Sequence, residues 1–255
     1  MNLTKSSNPV LKENVFHKDY SPSFEVMTVN GTINKTALML LLVIAGAAYT
    51  WRKFIEAYTV NPELAGKAVL PWLLIGGIGG FITVLVTVFR PKSSAISAPV
   101  YAVFEGLLLG GLSAMLETVY NGIVMRAVAL TLAVFLAMLF IYRSGVIKVT
   151  RKFAMGVFAA TAGIFVVYLV GFIAGLIGVN MSFLYGNSNW SIGISLVVVV
   201  VAALNLVLDF SFIENAAGSG APKYMEWYGA FGLMVTLVWL YIELLRLLAK
   251  FASRD

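Results

Sequence analysis

Seven long apolar runs, separated by short polar connections, constrain this sequence more than any motif in it. They fall at about residues 36–51, 69–89, 96–116, 123–142, 153–179, 192–212 and 228–251. Most match the roughly 20 residues a helix needs to cross a hydrocarbon core. The first reaches that length if Lys53 and Phe54 are included as snorkelling ends. Inside lipid every backbone N–H and C=O must be satisfied within the protein, so only helices and closed barrels span a membrane. Barrel strands alternate in polarity over about ten residues, whereas these runs are continuously apolar. The expected fold is therefore all-α, a polytopic membrane protein built as a seven-transmembrane-helix bundle. Composition agrees: 60% of the 255 residues are hydrophobic and 12% charged, with a mean hydropathy of +0.90, whereas soluble domains carry about a quarter charged residues.

The connections carry turn signals at Asn61-Pro62, Arg90-Pro91, Asn121-Gly122, Gly186-Asn187 and across 218–222. Residues 1–34 mix Ser, Asn, Pro, Lys and acids with isolated Val and Phe, and hold no apolar core of signal-peptide length. They are expected to form a polar, cytosolic N-terminal tail, with the seven-helix transmembrane domain at 35–255. No internal repeat of helix pairs stands out, which gives an inverted-repeat transporter little support.

The basic residues fix a topology. With the N-terminus inside, the inner side collects Lys5, Lys12, Lys18, Lys35, Arg90, Lys92, Arg143, Lys148, Arg151, Lys152 and Lys223. Arg52, Lys53, Lys67, Arg126, Arg246, Lys250 and Arg254 remain outside. The bias follows the positive-inside tendency and places the C-terminus outside. A net charge of +6 thus reads as membrane orientation, and nucleic acid is not an expected partner. The basic stretch 143–152 is either part of that topology or a site for anionic lipid or a partner protein.

Cysteine is absent and the single histidine, His17, sits in the tail. This removes disulfides, thiolate sites, haem attachment and histidine-cluster metal centres. No resident cofactor is expected, and a hard cation held by carboxylates and carbonyls remains open. Glycines four apart at Gly76 and Gly80, Gly106 and Gly110, and Gly171 and Gly175 let helix backbones approach closely in lipid. No paired nucleophile and base or phosphate loop is present, so an enzyme is not expected.

Charge at membrane depth is costly, about 2.5–3.5 kcal/mol for Asp at a helix centre, so each buried acid demands a reason. Glu105, Asp209 and Glu243 qualify, while Glu117, Glu214 and Glu226 fall at helix ends within reach of water. Asp209 reads as an ion or proton site, as an acid close enough to the surface to stay wet, or as one half of an ion pair with Arg90 or Arg246. Asn205 lies four residues before it, on the same side of a helix. Glu243 lies three residues before Arg246, a spacing that permits a local ion pair. Glu105 reads either as an ion site or as a protonated carboxyl hydrogen-bonded within the bundle.

Several stretches together resemble a family: SSNPVLKENVF in the tail, MTVNGTINKTALMLLL leading to AYTWRKF, YAVFEGLLLGGLS, ALNLVLDFSFIENAAGSGAPKYMEWYGAF and VWLYIELLRLL. They are similar to a bacterial branch of the transmembrane Bax-inhibitor-motif family, over nearly the whole chain. The resemblance implies a bacterial inner-membrane protein whose seventh helix is central and surrounded by six. It also implies a pH-sensitive calcium leak channel, with calcium or protons as the transported ions and calcium possible at Asp209. The family's sensor, a pair of acids sharing a proton, falls on Asp209 within LVLDFSFIE and on Glu243 within LYIE, and its helix-three acid on Glu105. Other members imply an alternative, a non-conducting membrane partner that modulates a quality-control protease or stress response, here through the tail residues Val10, Phe16, Tyr20 and Phe24, unless the tail packs on the protein's own cytosolic face. One departure matters. Asp209 and Glu243 are 34 positions apart, more than is usual for the family's pair. A hairpin turning near Gly220 leaves them offset in depth by roughly 15 Å. A kink or unwound segment would be needed to join them, and Glu226 is the alternative partner by depth.

Overall fold

The computed structural model describes residues 25–178, 184 and 186–254. Among them are seven long helices: α1 (Val29–Val60), α2 (Pro62–Phe89), α3 (Ser94–Val119), α4 (Ile123–Arg143), α5 (Arg151–Leu176), α6 (Asn189–Gly218) and α7 (Met225–Ala252). A single 3₁₀ turn, Pro91–Ser93, precedes α3. All seven helices are long and apolar enough to cross a membrane. The apolar side chains Phe81, Leu136, Phe165 and Phe172 stand exposed on the outside of the bundle. The chain is thus a multi-pass membrane protein whose outer surface meets lipid.

The helix ends follow local chemistry. Thr28 is extended and its hydroxyl accepts from the Gly31 amide at 2.9 Å, so α1 begins seven residues before its apolar run. Its other end does not stop near Phe54 but continues to Val60, where Glu56 pairs with Arg52 and Lys53 on the surface. Asn61 is the whole connection to α2: its side chain accepts from the Glu63 amide at 3.0 Å, and Pro62 occupies the first helical position. Thr150 and Ser188 cap α5 and α6 in the same way. Gly122, at φ +78°, makes the α3–α4 turn in a conformation that suits glycine. Glu117 closes that turn by accepting from the Gly122 and Val124 amides.

α7 is the centre. It buries Ala230, Leu233, Met234, Leu240 and Leu244 among α1, α3, α4 and α6. The expectation of six helices around the seventh needs adjustment, because α2 packs on α1 and α3 as an outer layer and α5 packs mainly on α6. Glycine makes the tightest of these contacts. A Cβ at Gly106 would stand 2.4 Å from the Val43 carbonyl oxygen, one at Gly110 2.3 Å from that of Ala47, and one at Gly76 2.6 Å from that of Phe104. Gly175 differs: nothing lies within 4 Å of its Cβ position. The spacing of glycines marks small-residue faces, but only an opposing helix turns such a face into a contact.

At the end of the bundle where α1 begins, here the near end, residues 25–27 dock on the α6–α7 turn. The Met27 amide donates to Ala221 O at 2.7 Å, and the Lys223 amide donates to Glu25 O at 2.9 Å. Residues 25–27 thus pack against the protein itself. His17, Val10, Phe16, Tyr20 and Phe24 lie outside the described residues.

Candidate functional site

Polar groups in the bundle fall at three levels along α7. At the near end, Glu226 in its first turn is 0% exposed. Its carboxylate accepts from the Thr28 amide and hydroxyl, each at 2.9 Å, pairs with Lys35, and lies 3.3 Å from Lys223 Nζ. Lys35 also sits over the Trp227 ring, 5.4 Å from its centroid. Sequence position places Glu226 in water, and the structure corrects this. The α1 start folds over it, and a Cβ at Gly31 would meet its Oε1 at 2.1 Å. Glu214, at the same end, stays exposed and accepts from the Tyr142 hydroxyl.

About one and a half to two turns further along α7 lies the level of Asp209. This carboxylate faces Gly232, with Oδ1 3.9 Å from the Cβ position there, and lies against the Thr236 side chain. Its Oδ2 is buried without a hydrogen-bond partner among the described residues. A Cβ at Gly232 would make only an ordinary van der Waals contact with this carboxylate. Asn205 turns elsewhere: its amide donates to Thr161 Oγ1 on α5 at 2.8 Å and to Val201 O at 2.9 Å. Glu105 occupies a comparable niche on α3, with Oε1 3.0 Å from the Cβ position of Gly80 on α2 and Oε2 buried without a partner. Tyr101, one turn before Glu105, packs edge-on against Phe231 of α7.

At the far end, Glu243 is 1% exposed. Its Oε1 accepts from the Tyr168 hydroxyl at 3.0 Å and from Arg246 at 2.9 Å, while Oε2 has no partner. Arg246 also lies over the Tyr168 ring at 5.2 Å. The local pair expected from the spacing of Glu243 and Arg246 is therefore present. Lys250 is a residue the sequence did not single out. Only 4% exposed, it donates to Leu184 O, Ser191 O and Ser195 Oγ at 3.1, 3.2 and 2.8 Å. A lysine near a helix end reads as topology, and no local signal in the sequence announces that the start of α6 wraps it.

The expected acid pair is not assembled in this structure. α6 and α7 run as continuous helices, without the unwinding that a pair would need. From Gly232, opposite Asp209, to Glu243 is eleven residues of α7, roughly 16 Å of rise. Glu226 lies roughly 9 Å the other way and is engaged with Thr28, Lys35 and Lys223. Arg246 belongs to Glu243, and Arg90 makes no salt bridge among the described residues. Among the described residues Asp209 forms no salt bridge, and the Thr236 side chain beside it donates its hydroxyl to Gly232 O at 3.3 Å.

Among the described residues no three His, Cys, Asp or Glu side chains gather to hold a metal ion. Calcium normally takes six to eight oxygens, and one carboxylate with one hydroxyl falls short of that number. Buried carboxylate oxygens without donors are costly, and a proton or a cation relieves that cost.

Comparison with curated proteins and with solved structures found no match. A family profile described as Bax inhibitor 1 like matches residues 8–253, which takes in every helix and each of the acids above. The chain belongs to the Bax inhibitor 1 like family.

Proposed function

We propose that this protein is a pH-sensitive cation leak channel, with calcium as the preferred ion and with the N-terminus on the cytoplasmic side of a bacterial inner membrane. The observation that carries the reading is Asp209, whose Oδ2 is buried in the bundle without a donor, beside Gly232 and Thr236 of the central helix. A proton and a cation compete for such an oxygen, because each supplies the positive charge that the surroundings withhold. Protonation empties the site of cation, and ionisation opens it to one. Glu105 and Glu243 offer further oxygens of the same kind at other points in the bundle, and oxygen is the ligand that calcium selects. On this reading Asp209 acts without a second acid, and the protein carries out no catalysis.

The test is calcium entry into proteoliposomes that hold the purified full chain and a calcium-sensitive dye, measured across pH. Entry above that of empty liposomes, varying with pH, supports the reading. Entry equal to that of empty liposomes at every pH removes it.

A further inference from the structure

A long cleft opens on the side of the bundle between α1 and α4, with α6 and α7 as its floor. Its volume is about 1340 Å³. From Val124 to Arg143 on α4 it extends about 28 Å, close to the roughly 30 Å of a hydrocarbon core. Ile33, Ile44 and Leu132 on its walls are each about half exposed, so the cleft is open to the surroundings along its length. Apolar side chains line its middle, and polar ones gather at its ends. At the near end the rim holds Arg143 and Lys148, both exposed, with Asn30 and Asn215 opposite. Among the described residues that line it the one acid is Glu214, which accepts from the Tyr142 hydroxyl. The connection from Arg143 to Lys152 carries Arg143, Lys148, Arg151 and Lys152, and no acid.

The geometry points to a phospholipid site: an anionic lipid of the near-side leaflet lies with an acyl chain in the cleft between α1 and α4 and its phosphate at Arg143 and Lys148. An open apolar groove by itself would accept any hydrocarbon. The four basic residues select among headgroups, each basic residue near an anionic surface adding attraction that a zwitterionic lipid does not return. Asn215, at the level of the rim, keeps one amide N–H beyond the one it gives to Ser211 Oγ, and can donate it to a lipid ester or phosphate oxygen. The acyl chain fills space that no side chain among the described residues fills, and holds α4 against α1 through dispersion contacts. This inference is independent of whether the protein conducts.

The experiment is native mass spectrometry of the delipidated full chain, titrated in detergent with dioleoyl phosphatidylglycerol or dioleoyl phosphatidylcholine. The wild type retains one phosphatidylglycerol with a preference of about tenfold over phosphatidylcholine. The double substitution Arg143→Gln with Lys148→Gln, both at exposed positions, abolishes that preference. Ala37→Trp, which projects a large side chain from an exposed cleft position, reduces retention of both lipids. Equal retention of the two lipids by the wild type, or an unchanged preference in the double variant, overturns the proposal whatever Ala37→Trp does. A chain dimer that Ala37→Trp dissociates without loss of lipid would assign the cleft to a second copy and overturn it too.

Discussion

The Tyr168 hydroxyl donates to Glu243 at 3.0 Å, joining α5 to the central helix, although the body of α5 packs mainly on α6. The bond also orients the carboxylate toward Arg246, which stacks over the same tyrosine ring. Tyr168→Phe keeps the ring and removes the bond. It lowers stability by about 1 kcal/mol. Hydrogen exchange should quicken in α5 while α1, α2 and α3 keep their protection. Equal quickening in all helices would show that the bond does not act locally.

Lys250 secures the start of α6 from within. With its three acceptors at Leu184, Ser191 and Ser195, it links two segments whose contact no helix spacing specifies. Lys250→Met preserves the length of the side chain and removes the ammonium from all three oxygens, leaving Leu184 O with the Ser191 hydroxyl alone. The expected cost is about 1–3 kcal/mol, read as a lower Tm in detergent, with the first turns of α6 losing exchange protection. A Tm equal to the wild type would mean that the lysine merely fills space.

Glu226 and Gly31 form one device at the near end. The glycine lets α1 lie directly on the carboxylate, and the carboxylate in turn holds Thr28, Lys35 and Lys223. Glu226→Gln weakens the cluster by about 1–3 kcal/mol, and Gly31→Ala should do comparable damage by displacing the carboxylate. Because both changes break the same contact, the double variant should lose less than the sum of the two. Strict additivity in thermal unfolding would contradict the coupling.

Two glycines that look alike in sequence should behave oppositely. Gly110→Ala places a methyl against the Ala47 backbone and should cost about 1–3 kcal/mol through overpacking. Gly175→Ala adds a methyl in open space and should gain about 0.5–1 kcal/mol from helix propensity. Unfolding midpoints of the two variants, measured in the same detergent, decide the matter by their signs.

These cases show what could be read from the sequence. Seven spans were legible because lipid demands long, continuous apolar runs, and the structure has a helix at each. The start of α1 was not, since Asn30, Thr32, Asn34 and Lys35 look like tail until Glu226 is seen to hold Thr28 and Lys35. Asp209, Glu105 and Glu243 stood out as charges in apolar runs, and all three have a buried oxygen without a partner. Which groups they would meet could not be read, because the register of α6 against α7 depends on packing around the Gly220 turn. The same blindness hid Lys250, whose burial is created by residues more than fifty positions away in the chain. The pair of Glu243 with Arg246 was legible, being a matter of three residues along one helix.

The central claim, that Asp209 alone sets the pH response of a cation leak, is tested most directly by one pair of pH profiles. Calcium entry into proteoliposomes is followed for the wild type and for Asp209→Asn, with Glu243→Gln as a control two turns beyond Thr236. The account predicts that Asp209→Asn removes the pH dependence while the protein stays folded and helical, and that Glu243→Gln shifts the amount of flux but keeps its dependence on pH. A wild-type profile retained unchanged in Asp209→Asn would contradict it.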